Sequence, residues 1–323
     1  MRDSRCSRVA IFRFLLLIAV QTTAACTPLA FGVLNLPARF GDYTLVTDLA
    51  YAEGSRRKLD IYSPEDVRSP RPVIVFFYGG RWQSGSKGNF RFVADAMTAL
   101  GYIVVIPDYR LYPQVRFPAF VDDAARVVAW THANIDAYGG DPGRLFVMGH
   151  SAGAHLAAMV SLDENYRLRA GGVPGCIAGM IGLAGPYDFL PLEDADLREI
   201  FGPEVRYPLS QPINYVNAGQ PPLLLLHGAD DAIVAVRNSL NLAAASREEG
   251  AEAESRVYEG IGHVGILIAL SRPFRGRAPV VADVHAFIRG VLARKAQQGR
   301  RPAAHSPPRT LQGGRLTIAG AAG

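Results

Sequence analysis

One serine of the sequence lies where the chain could make it a nucleophile. The apolar run 145–148 leads into Gly149-His150-Ser151-Ala152-Gly153, and an Ala-rich stretch follows. A strand that turns sharply into a helix through Gly-x-Ser-x-Gly holds its serine in a strained conformation with the Oγ exposed. The pattern therefore predicts Ser151 as a nucleophile. It also predicts that the N–H of Ala152, at the helix N-terminus, faces the negative oxygen that the attack would create.

Two later segments could supply the carboxylate and the base that a serine nucleophile needs. The apolar run 223–226 is followed by a segment that contains Asp230 and Asp231, and the loop after the next strand ends in His263. These residues are the candidate acids and the candidate base. The remaining histidines of the central part of the chain are interpreted as packed or surface residues: His132, His150, His155, His227 and His285.

A pair of glycines could supply backbone donors to a substrate oxygen. Gly79 and Gly80 follow the apolar run 73–77 and precede Arg81. Consecutive glycines let the backbone turn its N–H groups toward a ligand. We therefore expect Gly80 to form an oxyanion hole together with Ala152, with Gly79 or Arg81 as a further donor.

The elements that must position these residues alternate between strands and helices. Short runs of consecutive apolar residues are typical of strands that are buried on both faces of a parallel sheet. Such runs, together with one short alternating strand, occur at 59–62, 73–77, 103–106, 145–148 and 223–226. Helical spacing or an Ala-rich composition predicts helices at 118–137, 240–249 and 280–292. The alternation predicts an α/β fold with a mostly parallel sheet and helices on both faces.

The segment 186–219 interrupts this alternation, since it contains five prolines and several aromatic residues. It is interpreted as a small cap-like insertion over the carboxyl edge of the sheet, where ligands bind in such folds. We expect Tyr187 and Phe189 of this segment, together with Trp82, to form the wall of an apolar acyl or alcohol pocket. No internal repeat and no second domain are predicted.

The strand, turn and helix around Ser151 resemble the α/β-hydrolase fold, and two other segments resemble motifs of the same enzymes. Residues 227–234 are similar to the hydrolase pattern HGxxDxxV, and this resemblance implies that Asp231 rather than Asp230 is the acid. In this fold the order along the chain is serine, acid, histidine, which implies that His263 is the base.

Residues 78–82 resemble the HGGxW oxyanion loop of the bacterial esterase and kynurenine formamidase branches, close to the hormone-sensitive lipase group. Tyr78 stands where those families have His. Residues 108–111, which read DYRL, and the Pro118-Ala119 pair resemble a further stretch of these esterases, although an Asp108–Arg110 pair with a purely structural role is an alternative. The resemblance covers about residues 47–292.

The resemblance implies a serine hydrolase that cleaves carboxylic esters through an acyl-enzyme and needs no cofactor. An arylformamidase and a serine peptidase of the same fold are the alternatives within enzymes. Tyr78 argues against the first, and the absence of a propeller domain argues against the second. A membrane-attached binding protein with a hydrolase fold is the alternative from another class, but such a protein has no need for a complete triad.

The N-terminus predicts an exported protein. Residues 1–25 combine four arginines with a seven-residue apolar run, 14–20, and then small residues, as signal peptides do. The small residues followed by Cys26 resemble a bacterial lipoprotein signal, which implies a lipidated Cys26 and a periplasmic or outer-membrane location. Cleavage after residue 25 to give a soluble secreted protein is the alternative, and so is a weak uncleaved anchor.

The charge of the chain is distributed unevenly, and this argues against a nucleic-acid partner. The formal charge is +5, but residues 1–13 contribute +3 and residues 294–323 contribute +6, so the part between them is acidic.

We expect a hydrolase domain over 45–294 and a disordered basic tail over 296–323. The sequence contains no CxxC, HExxH or P-loop pattern, so no metal or nucleotide site is predicted. The expected ligand is a small ester, and the oligomeric state is left open.

Overall fold

The fold is built on one eight-stranded sheet. The computed structural model describes residues 30–66 and 68–300. The strands lie in the order β1-β2-β4-β3-β5-β6-β7-β8, with the pairs β1–β2 and β2–β4 antiparallel and all later pairs parallel. Their bounds are β1 Tyr43–Ala50, β2 Lys58–Pro64, β3 Arg71–Phe77, β4 Ile103–Pro107, β5 Gly140–His150, β6 Ile177–Leu183, β7 Leu223–Gly228 and β8 Ala253–Tyr258.

Helices connect the parallel strands. After β1, the α-helices are α1 Arg91–Thr98, α2 Ala119–Asn134, α3 Ala152–Leu162, α4 Glu164–Arg169, α5 Ala195–Phe201, α6 Arg237–Glu248, α7 His263–Ile268 and α8 Val280–Arg300. Helix α3 packs on β5 and β6, α6 packs on β7 and β8, and α8 packs on β6 and β7. Each crossover returns the chain to the same edge of the sheet, so the carboxyl ends of the parallel strands lie side by side.

The central strands are buried on both faces. All seven residues of β6 and all six residues of β7 are buried, and so are the last six residues of β5. Successive side chains of a strand point to opposite faces of the sheet. Continuous burial therefore means that both faces are covered, which confirms the α/β class predicted from the apolar runs.

The predicted strands and helices are all present, but several bounds differ. Strand β5 begins at Gly140, five residues before the predicted apolar run 145–148. The N–H of Gly143 donates to the Asp141 side chain there at 2.9 Å, which is a local turn within the strand. Helix α8 continues to Arg300, so 296–300 is helical and does not belong to the predicted disordered tail. Residues 301–323 lie outside the described residues, and so does the predicted signal with Cys26.

The insertion between β6 and β7 packs against the loops at the carboxyl edge. It contains α5 and two short 3₁₀ helices, Glu204–Ser210 and Pro212–Tyr215. Phe201 of α5 lies 4.8 Å from Trp82, measured between ring centroids, and the N–H of Phe117 donates to the Ile200 carbonyl at 2.9 Å. The segment thus covers part of the sheet edge where the predicted site residues lie.

Within residues 30–66 and 68–300, each helix is either too short or too polar to cross a bilayer.

Candidate active site

Ser151 lies at the sharp turn between β5 and α3, as the sequence predicts. Its backbone φ is +54° and its ψ is −123°, a combination that non-glycine residues rarely adopt. The turn depends on neighbouring glycines, because a Cβ on Gly153 would collide with the Phe77 carbonyl oxygen. The N–H of Ser151 donates to the Leu183 carbonyl at 2.9 Å, which fixes the turn to the end of β6. Strain of this kind persists only where the surrounding structure holds it.

His263 is hydrogen-bonded to Ser151. The imidazole Nε2 lies 2.9 Å from the Ser151 Oγ, a hydrogen bond between residues 112 positions apart in the chain. His263 follows β8 and is the first residue of α7. This distance lies within the range for a base that removes the hydroxyl proton.

Asp231 holds the other ring nitrogen of His263. The Asp231 Oδ2 lies 2.8 Å from the His263 Nδ1, and the Asp231 side chain is fully buried. The other carboxylate oxygen, Oδ1, accepts the N–H groups of Ile233 at 2.9 Å and Val234 at 2.8 Å. The neighbouring Asp230 is exposed, so the geometry matches Asp231 and not Asp230 as the acid.

The electrostatics of Asp231 favour its charged form. Burial alone would raise the pKa of this carboxyl. Hydrogen bonds from His227, His263 and the N–H groups of Val234 and Ile233 outweigh burial and hold the pKa well below its usual range. A carboxylate that stays ionised can fix the tautomer of His263 and stabilise the imidazolium that forms when His263 takes a proton.

The glycine loop after β3 lies directly against the serine turn. A Cβ on Gly79 would come within 2.9 Å of both the His150 carbonyl oxygen and the Ser151 Cβ. No hydrogen bond among the described residues uses the backbone N–H of Gly79, Gly80 or Ala152. These three groups are therefore free to bind a negative oxygen, as the predicted oxyanion hole requires.

The glycine loop continues through two residues in the left-handed region. Arg81 has a φ of +53° and Trp82 has a φ of +58°. Backbone hydrogen bonds hold this conformation, since Ser84 donates to the Gly80 carbonyl at 3.0 Å and Tyr112 donates to the Trp82 carbonyl at 2.9 Å. The conformation turns Arg81 toward the insertion, where it forms an ion pair with Asp194 at 2.9 Å.

Tyr78 anchors the start of this loop through a polar network. Its buried hydroxyl donates to the Asp108 Oδ1 at 2.7 Å and accepts from the Arg56 Nη2 at 2.8 Å. The same Arg56 nitrogen donates to the Gly85 carbonyl at 2.9 Å, so one guanidinium joins both ends of the loop. The contribution of Arg56 was not visible in the sequence, because it lies 22 residues before Tyr78 and belongs to no motif.

The alternative of an Asp108–Arg110 pair is wrong. Arg110 instead donates to the buried Asp123 of α2 at 2.7 Å, and Asp108 interacts with Tyr78 and Arg56. In a strand, every second side chain points to the same face of the sheet, so Asp108 and Arg110 would share a face only if β4 continued through them. The strand ends at Pro107, and the two side chains separate.

A cleft of about 310 Å³ lies between the glycine loop, the insertion and the loop after β7. Trp82 and Phe189 line it, as the sequence predicts, together with Val234 from the segment that follows Asp231. Tyr187 does not line it, because its side chain is fully buried and its ring packs against Gly182 and Gly185. The cleft wall is mostly apolar, with Arg81, Glu193, Asp194 and Arg237 as its charged residues.

Two further histidines are packed beside the site. The Nε2 of His150 donates to the His263 carbonyl at 2.9 Å, and the two rings are 4.8 Å apart. Burial, followed by the proximity of His263, lowers the pKa of His150 to about 3. The His155 Nε2 donates to the Ser210 carbonyl at 2.8 Å, and burial lowers its pKa to about 4. Both therefore stay neutral near pH 7, in agreement with their interpretation as packed residues.

Within residues 30–66 and 68–300, no cluster of His, Cys, Asp or Glu has the geometry of a metal site. His285 of α8 lies 2.7 Å from the Tyr102 hydroxyl, far along the chain from the triad. His227 is buried beside Asp231 and was not predicted to have a role.

Comparison with known proteins places this geometry in a family. The Arabidopsis thaliana protein named isoprenylcysteine alpha-carbonyl methylesterase ICME is 30% identical over 284 residues, which are 81% of this chain and 65% of that protein. Esterase LipQ of Mycobacterium tuberculosis is 30% identical over 282 residues, 80% of this chain and 67% of that protein. The chain spans 64%, 65% and 52% of the length of the first three curated relatives.

Solved structures share the fold. Esterase B from Lactobacillus rhamnosis, in an inhibited form, superimposes with a TM-score of 0.74 at 18% identity, over 89% of this chain and 100% of that chain. The Pyrobaculum calidifontis esterase superimposes with a TM-score of 0.70 at 23% identity, over 88% of this chain and 98% of that chain. The predicted α/β-hydrolase fold is thereby confirmed.

The family model named BD-FAE matches residues 59–245, which contain the glycine loop, the serine turn and Asp231. The match covers more than half of the 323 residues. The chain therefore belongs to the BD-FAE family.

Proposed function

We propose that the protein is a serine hydrolase that cleaves carboxylic esters. The observation that carries this proposal is the hydrogen-bonded chain from Ser151 through His263 to Asp231, with distances of 2.9 and 2.8 Å, at a strained turn beside free backbone donors. The names of the relatives ICME and LipQ, a methylesterase and an esterase, support the same reaction class.

In the first half of the reaction the Ser151 Oγ attacks the ester carbonyl carbon while its proton passes to the His263 Nε2. The Asp231 carboxylate stabilises the imidazolium through Nδ1–H. The N–H groups of Gly80 and Ala152, with Gly79 as a further donor, bind the carbonyl oxygen as it becomes negative. When the intermediate collapses, His263 returns the proton to the leaving alcohol, and the acyl group stays on Ser151.

In the second half a water molecule replaces the alcohol. His263 removes a proton from the water, the resulting oxygen attacks the acyl carbon, and the same backbone donors bind the second tetrahedral intermediate. The bond to the Ser151 Oγ breaks, His263 returns the proton to it, and the carboxylic acid leaves. The cleft between Trp82 and Phe189 is the proposed place of the apolar part of the substrate.

The direct test is hydrolysis of a p-nitrophenyl ester series by the wild type and by Ser151→Ala. If the triad acts as a unit, loss of Ser151 lowers kcat by roughly 10⁶-fold. Equal rates for the two proteins would contradict the proposal. Because the cleft is small, we expect a preference for short acyl chains. Such a preference would indicate an esterase rather than a lipase.

We also propose that the protein is exported and attached to a membrane through lipidated Cys26, which lies outside the described residues. The support is the sequence pattern of residues 1–26 alone. In a bacterial expression host, Cys26→Ser is expected to move the protein from the membrane fraction to the soluble fraction. Unchanged partitioning would contradict lipidation, and a wild type already in the soluble fraction would support cleavage after residue 25.

A further inference from the structure

A buried imidazole that the triad does not use lies against its carboxylate. His227, at the end of β7, is fully buried. Its Nε2 lies 3.2 Å from the Asp231 Oδ2 and 2.9 Å from the Val234 carbonyl oxygen. Its Nδ1 lies 2.8 Å from the Ser239 Oγ of α6. Each ring nitrogen of His227 therefore has a specific partner.

These partners determine the tautomer of His227. A carbonyl oxygen accepts hydrogen bonds only, so the contact with Val234 requires the proton to be on Nε2. The Ser239 hydroxyl can either donate to Nδ1 or accept from it, so this contact is compatible with the proton on Nε2. The Nε2–H is bonded to the Val234 carbonyl, and the Asp231 Oδ2, which His263 binds at 2.8 Å, lies 3.2 Å from the same nitrogen as a second acceptor.

We propose that His227 is a positioning residue of the triad, a second imidazole that orients the Asp231 carboxylate and shares its charge with His263. This inference rests on the proposed ester hydrolysis. Without His227, the Asp231 Oδ2 has a single N–H donor, while Oδ1 keeps the two backbone donors of Ile233 and Val234. The carboxylate can then turn about Oδ1, and the ring of His263 is held less firmly toward Ser151.

The charge sharing has a consequence for the pH dependence. A donor on the Asp231 Oδ2 weakens the attraction of the carboxylate for a proton on His263. Removing that donor strengthens the attraction, so His263 becomes protonated, and therefore inactive as a base, at a higher pH. The other titratable groups near the pair are His150, whose ring is 4.8 Å from that of His263, and Asp230, which is exposed. The substitutions of His227 and His132 leave both of these residues in place.

Two substitutions at His227 separate the donor from the bulk of the ring. The amide of His227→Asn lies near the position of Nδ1, so this variant keeps the contact with Ser239 and loses the donor to Asp231. The amide of His227→Gln reaches the position of Nε2 and keeps that donor. His132→Asn, a substitution on α2 away from the site, is the control for the loss of an imidazole.

The experiment measures kcat and kcat/KM for a p-nitrophenyl ester from pH 4 to 9. His227→Asn is expected to lose roughly 10- to 100-fold in kcat, the range seen when outer partners of a site are removed. The acidic limb of the pH profile of its kcat/KM should move to higher pH by on the order of half a pH unit. His227→Gln should recover most of both. A loss of rate in His227→Asn with an unmoved limb, or equal effects of Asn and Gln, would overturn the proposal and indicate a purely structural histidine.

A measurement on the wild type does not depend on whether the variants fold. Nitrogen-15 NMR of the histidine rings reports which nitrogen carries the proton. The proposal requires the proton of His227 on Nε2 at pH 7, and a proton on Nδ1 would overturn it. If the wild type hydrolyses no ester, the proposed function fails, while the NMR result still decides whether His227 donates to Asp231.

Discussion

The two sides of Ser151 keep their geometry by different means. On the acid–base side, His263, Asp231 and His227 are fixed by hydrogen bonds between polar atoms that are almost all paired. On the oxyanion side, the proposed donors are backbone N–H groups that must stay unpaired. The loop that carries them is positioned by close contact of Gly79 with the serine turn and by aromatic packing around Trp82.

This difference follows from the chemistry of each side. A proton carrier needs partners that fix its tautomer, so hydrogen bonds can both position it and serve the reaction. An oxyanion donor loses its function when another acceptor occupies it, so its position must come from van der Waals contact and from bonds made by its neighbours. The acid–base side should therefore be sensitive to the removal of single polar atoms, and the oxyanion side to the addition of single carbon atoms.

The largest effect is expected on the acid–base side. Asp231→Asn keeps the size of the side chain but removes the charge and presents the wrong hydrogen-bonding pattern to His263, so kcat should fall by about 10⁴-fold. Asp230→Asn is the matched control, because Asp230 is adjacent and exposed, and it should leave kcat unchanged. Steady-state hydrolysis of a p-nitrophenyl ester measures both. A strong loss in Asp230→Asn instead would assign the acid to the neighbouring residue.

The next effect is expected on the oxyanion side. The Cβ of Gly79→Ala would lie 2.9 Å from the Ser151 Cβ and would displace the loop, so kcat should fall by about 10²- to 10³-fold, as when one oxyanion donor is lost. Gly88→Ala is the control, since a Cβ at Gly88 meets no atom within 4 Å. Full activity in Gly79→Ala, measured with the same ester, would show that the loop does not contact the serine turn as described.

A smaller effect is expected where the oxyanion loop does use polar atoms. Tyr78→Phe removes the hydroxyl that joins Arg56 and Asp108. Losing one partner of a buried polar pair costs about 1–3 kcal/mol in the free energy of unfolding, and kcat should fall by less than in Gly79→Ala. Urea unfolding measures the first quantity. Tyr112→Phe, whose hydroxyl binds Glu199 at an exposed site, should change neither; equal stabilities of the two variants would contradict the network.

The smallest effect on kcat is expected at His155, under the insertion, where a substitution changes the pH dependence of stability instead. Burial lowers the pKa of His155 to about 4, from an ordinary value of 6.5, so between these pH values the unfolded chain binds more protons than the folded one. The contribution of His155 to stability is therefore complete above about pH 6.5 and is lost as the pH falls toward 4, by at most about 1.4 kcal/mol per pH unit.

His155→Gln tests the direction in which the stability depends on pH. The Gln amide can still donate to the Ser210 carbonyl but does not titrate, so its free energy of unfolding should fall less steeply between pH 6.5 and 4 than that of the wild type. Chemical unfolding at a series of pH values gives both slopes, with His132→Gln as the control. Parallel curves for wild type and His155→Gln would contradict a buried neutral His155.

The sequence predicted most of the acid–base side because its residues lie in short local motifs. Ser151 follows an apolar strand directly, and the resemblance of residues 227–234 to a hydrolase pattern distinguished Asp231 from Asp230. The packing of the chain brings these residues together from 112 and 32 positions away, in the chain order serine, acid, histidine that the resemblance implies.

Contacts between residues that share no motif could not be predicted in this way. Arg56 binds Tyr78, and Arg110 binds Asp123 rather than Asp108, because the direction of each side chain depends on where a strand ends. The fully buried position of Tyr187 depends on the glycines Gly182 and Gly185, which leave space for its ring inside the core. The extension of α8 to Arg300 was missed because residues 296–300 have no apolar period that would mark a helix.

In the proposed mechanism Ser151 is a nucleophile because His263 activates it. Labelling with a fluorophosphonate, followed by peptide mass spectrometry, tests this without knowledge of the natural ester. A single covalent adduct on Ser151 is expected in the wild type, and labelling should be slowed by several orders of magnitude in His263→Ala. An adduct on a different residue, or equally fast labelling of Ser151 in His263→Ala, would contradict it.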